Sequence, residues 1–371
     1  MRILRATFTI LNLCGWLRPS FWISPYQKIL YNFYTVFLFL TIHSLLFTQI
    51  LDVVFNVRNQ NEFSDNIYES LAVFMSCCKM CSFLLNRKKV KLLIDTLQKK
   101  PFLPMNAEEY EIRRRCEQTA TRNTIGYTIM IECCVVFMWT TSVFRDFGRR
   151  QLTYRAWIPY DYSSSLLTFT VTYTYQTSTV MIGSIMNIAY DTLHSGMLMH
   201  TYCQLEILEH RLKNVTKDDN YSVEQCAHYH HRIFQFAAML NKTFKTTACI
   251  QFLMSASIVC FNLYRITQKD LGARLAETVF YAFCMIMEIF YYCWYGNEVR
   301  LKSLEIPDMI IRSDWINLDV GSRKILVMIM RRATVPIEFT SLHVVSMNLE
   351  SFMALLKASF TACNVLQQTH G

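Results

Sequence analysis

Charge is what this sequence has least of for its length. Only 18% of its 371 residues are Asp, Glu, Lys or Arg, against about 25% in an ordinary soluble domain. Glycine and proline are scarce as well, at 9 and 7 residues. No Gly/Ser/Pro-rich linker therefore divides the chain into separate domains, and no fixed-period repeat suggests a solenoid. The motifs of common enzymes are missing: there is no GxSxG, HExxH, Walker A or GxGxxG. Without a nucleophile elbow, zinc helix or phosphate-cradling loop, the sequence implies neither an enzyme nor a cofactor. It also lacks the inverted repeat or Gly/Pro-broken helix pair that a secondary transporter would show.

What is abundant is apolar. The chain is 52% hydrophobic and 14% aromatic, and long apolar runs recur near Phe33–Leu51, Asn66–Leu85, Thr124–Phe144, Ser165–Tyr190, Thr246–Tyr264, Leu275–Tyr295 and Val345–Leu366. Each is long enough to cross a bilayer core as a helix. The expected fold is all-α, a polytopic membrane protein with seven transmembrane helices. The fourth run alternates like a strand, with Thr168, Thr170, Thr172, Thr174 and Thr177 beside Tyr173 and Tyr175. A lone strand in lipid would leave its backbone unpaired, so the expectation is a helix whose Thr hydroxyls bond the preceding turn. The N-terminal run, broken by Asn12 and Arg18 and lacking a small-residue cleavage site, is read as retained.

Net charge is +9 and follows the spans. The N-terminal segment and the loops after the second, fourth and sixth runs hold 27 Lys and Arg, and the remaining loops hold 8. The bias puts the N-terminus in the cytoplasm and the C-terminus outside. The three long cytoplasmic segments, roughly 86–123, 191–245 and 296–340, carry helical periodicity such as Leu193, Met197, Tyr202, Leu205, Leu208 and Leu212. They are expected to pack as helices beyond the bilayer. Sequons at Asn214, Asn220 and Asn241 fall there and would stay unglycosylated. Most of the 14 cysteines sit in or beside apolar spans, where they read as small packing residues rather than disulfides. His228, His230 and His231 read as a packed or solvated helix face rather than a metal site.

Two features point toward function. In the last run, Glu350, Ala354, Lys357, Thr361, Val365 and Gln368 share one face at 100° per residue, with Asn364 at its edge, while Leu349, Phe352, Leu355, Leu356, Phe360 and Leu366 lie opposite. Polar groups on a membrane helix need protein partners or water, so the stripe is helix-packing glue or the lining of a pore. Aromatic and Met side chains also crowd one half of spans two, three, four and six, among them Tyr68, Met138, Trp139, Phe169, Tyr173, Phe280 and Phe283. Such residues build ordinary packing or an apolar ligand cavity. Glu132, Glu277 and Glu288 lie in or at the ends of spans, where pairing with Lys79 or a Tyr hydroxyl would satisfy them.

The last third of the chain resembles the insect odorant receptor family. The resemblance rests on Tyr292-Cys293-Trp294-Tyr295-Gly296-Asn297, Ser313-Asp314-Trp315, Arg323-Lys324-Ile325-Leu326, Met330-Arg331-Arg332, Pro336, and Ser351 through Thr361. It implies an odorant-gated, non-selective cation channel of four subunits, with spans four to seven meeting in a cytoplasmic helical anchor domain and the seventh helix lining the pore. The chain looks like a ligand-tuning receptor that works with the longer odorant receptor co-receptor in the plasma membrane of an olfactory neuron dendrite, taking a small volatile organic ligand. Residues 1–245 would hold spans one to four with most of the pocket, and 246–371 spans five to seven with anchor and pore. By resemblance, Val365 is the gate hydrophobe and Gln368 the polar ring beyond it, Thr369 stands where the family usually has Leu, and Thr361 lies on the same pore-facing stripe. Val135 and Trp139 carry over to the ligand site. With Ala72, the ligand set expected is Tyr68, Ala72, Val135, Met138, Trp139, Phe169, Tyr173, Phe280 and Phe283. The alternatives are a gustatory-type channel of the same architecture and a G-protein-coupled seven-helix receptor.

Overall fold

Each of the seven apolar runs lies on its own helix. The computed structural model describes residues 4–19, 21–56, 60–215, 222–267, 275–341 and 345–368, without the side chains at 60–62, 64, 65 and 68. The helices are α1 Arg5–Leu13, α2 Pro25–Phe55, α3 Gln60–Leu97, α4 Ala107–Arg145, α5 Leu166–Asn214, α6 Val223–Thr267, α7 Leu275–Leu304, α8 Ile306–Ile311, α9 Val320–Ala333 and α10 Leu349–Gln368. Among the described residues, α2, α4, α6, α10 and the stretch Leu275–Ile311 are long and apolar enough to cross a membrane. The other two runs lie on the longer, more polar α3 and α5.

The Thr-rich run is helical. Thr170, Thr172, Thr177 and Thr179 donate to the carbonyls of Leu166, Thr168, Tyr173 and Tyr175 at 2.6–2.9 Å, so each hydroxyl is satisfied within its own helix. Local signals set several ends: Ser24 and Gln27 form a capping box before Pro25, and Asn106, Ser165 and Asp319 cap α4, α5 and α9 through their side chains.

One expectation needs correcting. The last span does not begin at Val345. Residues Val345–Ser346 form β2, antiparallel to β1, Thr340–Ser341, and α10 starts only at Leu349. Asn348 caps it, its Oδ1 accepting from Ser351 N–H at 2.8 Å. The apolar pattern continues through the strand and the helix, so hydropathy alone does not mark the joint. The 20 residues of α10, which runs on to Gln368, still rise about 30 Å, one bilayer core.

The largest core sits at one end of the bundle, where α3, α5 and α6 run past their apolar spans. There Leu193, Met197, Leu205, Leu208 and Leu212 of α5 are buried with Leu93, Leu97, Phe102, Tyr229, Ile233 and Phe236. α1 tucks beneath α5 and α4 at this end. Gly15 takes φ +73°, a conformation costly for other residues, and the turn it makes buries Trp16 against Phe83 at 4.9 Å. Leu4 N–H donates to Glu117 Oε2. Gly296 has a different task. A Cβ there would stand 2.3 Å from the Met347 carbonyl oxygen, so its missing side chain lets the β2–α10 joint lie directly on α7.

Candidate functional site

A cavity of about 120 Å³ opens among α2, α3, α4, α5 and α7. Ile42, Leu45, Val73, Met75, Ile131, Val135, Ile188 and Met285 give it an apolar wall. An apolar cavity of roughly 150 Å³ holds benzene, so the space suits a small organic molecule. Polar residues gather toward one end: Ser76, Tyr127, Ser184, Asn187 and Glu288.

Beneath that end lies a buried charge cluster. Lys79 Nζ, fully buried, is 2.6 Å from both Asp191 Oδ1 and Glu288 Oε1. Tyr292 donates its hydroxyl to Asp191 Oδ1 at 2.6 Å, and Tyr127 donates to Asp191 Oδ2 at 3.1 Å. Each group sits at the matching level of its helix, so α3, α4, α5 and α7 are tied together at one height. A lone charge this deep would be prohibitively costly, and mutual pairing with hydrogen-bond partners is what makes the cluster tolerable. The pairing of Glu288 with Lys79 was readable in the sequence. Asp191 was not singled out, because it falls just past the fourth apolar run. A second, smaller space on the far side is lined by Tyr127, Asp191 and Glu288 together with Asn123, Tyr291 and Tyr295. At the opposite end of the spans, Arg145 pairs with Glu277 at 2.7 Å and Asp146 at 2.9 Å.

Of the expected ligand set, the cavity brings together Ala72 and Val135. Phe169 and Tyr173 are buried on the stretch of α5 before the cavity-lining Thr179, packed with Phe147 at 5.2 and 5.3 Å. Met138 and Trp139 follow Val135 on α4 without lining it, and Trp139 is 39% exposed. On α7 the lining residues are Tyr281, Cys284, Met285 and Glu288, whereas Phe280 meets Phe137 at 6.1 Å and Phe283 is exposed. The Tyr68 side chain lies outside the described residues. The aromatic-count signal thus marks the helices, and helical phase selects among neighbours. Ser184 and Asn187 were missed because small polar residues inside a span look like packing, and Tyr127 because it precedes the aromatic cluster at Phe137–Trp139.

α10 has two unlike faces. Ser359 and Cys363 are buried, with Leu349, Phe352, Leu355, Leu356 and Leu366 half-buried, against α6 and α7, whereas Phe360, expected on this side, is 60% exposed. Ser359 donates to the Ala256 carbonyl at 3.1 Å. The opposite face carries Glu350, Ala354, Lys357, Thr361, Asn364, Val365 and Gln368, every one exposed. Thr369 lies outside the described residues. Among the described residues no group of three His, Cys, Asp or Glu could hold a metal, and His230 packs on Phe234 at 4.6 Å instead.

The 7tm Odorant receptor family model matches residues 59–360. Odorant receptor Or1 of Anopheles gambiae is 22% identical over 345 residues, covering 84% of this chain and 82% of that protein. Odorant receptor 46a, isoform A, of Drosophila melanogaster is 24% identical, covering 86% of each. The fold matches the insect olfactory receptor OR5 of Machilis hrabei, solved in complex with eugenol, with a TM-score of 0.86 at 17% identity over 99% of this chain and 97% of that one. The family model spans most of the chain, including the charge cluster and the first 12 of the 20 residues of the two-faced α10, and this multi-pass membrane protein belongs to the odorant receptor family.

Proposed function

We propose that this chain is the ligand-tuning subunit of an odorant-gated, non-selective cation channel, assembled with the odorant receptor co-receptor as a tetramer in the plasma membrane. The observation that carries it is the two-faced α10: its apolar face is packed and its polar face, from Glu350 to Gln368, is exposed. A polar face on a membrane-length helix calls for water or another subunit, and four such faces around an axis would line a hydrated path. Val365 would be the hydrophobic constriction, and Gln368, one turn on, would offer amide oxygens to cations; Thr361 and Thr369 complete the pore set. In this reading the N-terminus is cytoplasmic, residues 1–245 carry spans one to four with most of the pocket, and 246–371 carry the remaining spans, anchor and pore.

The cavity beside Ala72 and Val135 is the odorant site of this reading. A volatile molecule fills it through apolar contact, and occupancy shifts the closed–open equilibrium by its affinity difference for the two states. In this reading seven helices cross the bilayer, with the cavity in the outer half and the large core in the cytoplasm. The test is to co-express the chain with the co-receptor in a cell line, screen volatiles and record current. Odorant-evoked cation current that needs both chains is expected; uptake without current, or a response that needs a G protein, would overturn the proposal.

A further inference from the structure

We propose that the cavity between α2, α3, α4, α5 and α7 selects ligands whose apolar body ends in one hydrogen-bond donor, an alcohol, phenol or amine, and that Glu288 receives that donor. The inference rests on the reading of this cavity as the odorant site and names the chemistry that it prefers.

The argument begins with where the lining protons go. Ser76 donates to the carbonyls of Ala72 at 3.2 Å and Gly183 at 3.4 Å. Thr179 donates to the Tyr175 carbonyl at 2.6 Å, and Ser184 to Glu132 Oε1 and the Met181 carbonyl, each at 2.8 Å. Tyr127 gives its proton to Asp191 Oδ2. Asn187 turns its Nδ2 to Ser76 Oγ at 2.5 Å. Four lining hydroxyls and one of the two Asn187 N–H groups thus direct protons at the protein itself, and the hydroxyl oxygens remain as acceptors.

Charge adds to this. Lys79 brings one positive charge to two carboxylates. Asp191 receives Lys79, Tyr292 and Tyr127, whereas among the described residues Lys79 is the one cationic donor to Glu288, at Oε1, and the two carboxylates also share a hydrogen-bonding contact. Glu288 also borders both spaces. A carboxylate short of donors in an apolar wall rewards a ligand that brings one, because an unmet buried acceptor costs more than an average hydrogen bond gains. A protonated amine would also balance the cluster's charge; an alcohol or phenol supplies the O–H alone. An ether, ester or ketone offers only lone pairs to a floor already made of acceptors. Tyr281, on the α7 wall, carries the one further lining hydroxyl and is the natural control.

The test uses one carbon skeleton ending in a primary alcohol, a primary amine, a methyl ether, a ketone or hydrogen. Two readouts are taken: current from the full chain expressed with the co-receptor, and the ligand-induced rise in melting temperature of the purified chain. The alcohol or the amine should exceed the ether and ketone in potency by at least about tenfold, a difference of about 1.4 kcal/mol. Glu288→Gln keeps the shape and leaves Lys79 balanced by Asp191; it should cut that margin to under about threefold, the amine losing most. Tyr281→Phe should leave the margin intact. If Glu288→Gln does not fold, the wild-type series still decides. Current evoked equally by ether and alcohol would overturn the ligand class and leave the channel reading standing. Donor-selective stabilisation without current would do the reverse, and no response of either kind would overturn both. A margin lost in Tyr281→Phe and kept in Glu288→Gln would move the selecting group to Tyr281 and overturn the role of Glu288.

Discussion

At the scale of single residues, the charge cluster gives the sharpest expectation. Lys79→Met removes the only cation that, among the described residues, pairs with the buried Asp191 and Glu288. Stranding a buried charge costs on the order of 3–5 kcal/mol, so the melting temperature of the purified chain should fall, and adding Glu288→Gln should recover part of the loss. A double mutant no more stable than Lys79→Met would show that the cluster is not electrostatically coupled. The ligand site is probed by Val135→Phe, which fills the cavity wall and should weaken odorant potency at least about tenfold, the scale of a lost apolar subsite. Trp139→Ala divides the two ways of locating that site. Unchanged potency across a diverse panel would leave Trp139 as a lipid- or subunit-facing residue. His230 gives a pH signature. Burial, with Arg332 nearby, pushes its imidazole down to about 4, so it stays neutral in the folded chain while the unfolded chain protonates near its ordinary value. The stability it contributes is therefore intact above about pH 6.5 and is lost as pH falls toward 4. His230→Gln should flatten the decline in melting temperature over that window.

At the scale of elements, α10 and its joint matter most. Gln368→Lys would add a fixed positive charge to the exposed stripe, at roughly several kcal/mol per passing cation if the local dielectric is near 20. Reduced single-channel cation conductance is expected with odorant potency largely kept, whereas Leu366→Ala, on the packed face, should leave permeation alone. Identical conductance and reversal potentials in Gln368→Lys and wild type would take this face out of the pore. Gly296→Ala would drive a methyl group into the Met347 backbone, so α7 and the base of α10 must separate, and less receptor at the cell surface is expected by surface labelling. Much at this scale was legible. Seven apolar runs and the Leu193–Leu212 periodicity identify the long helices, and the 100° phase of α10 sorts its packed from its exposed residues except at Phe360, which shares the apolar side and is exposed. The β1–β2 joint was not, because two short strands inside a continuous apolar stretch leave no periodic trace. The inward phase of α4 and α7 was equally hidden: aromatics crowd both faces of those helices, so Trp139 and Phe283 look as eligible as Val135 and Met285.

At the scale of the whole molecule, orientation has a local probe. The Asn241 side chain donates to Thr340 Oγ1 at 3.4 Å and accepts from Thr340 N–H at 3.1 Å, so a glycan there would break the contact that holds β1 on α6. The sequons at Asn214 and Asn241 are expected to stay bare, with no mobility change on endoglycosidase treatment; Asn220 lies outside the described residues. A shift that disappears in the Asn mutants would invert the topology. The exposed stripe of α10 also bears on biosynthesis. α10 is the last helix described, so it reaches the translocon after its neighbours are already in lipid. A solitary copy then shows acyl chains a carboxylate, an ammonium and amides that only sister subunits or a hydrated axis would accept. If the proposed tetramer is its finished state, an orphan chain is thereby marked by its own solvation. On the proposed reading, replacing Glu350 and Lys357 with leucine should raise the fraction of solitary copies found at the cell surface by surface labelling, and lower the odorant-evoked current of the co-expressed channel.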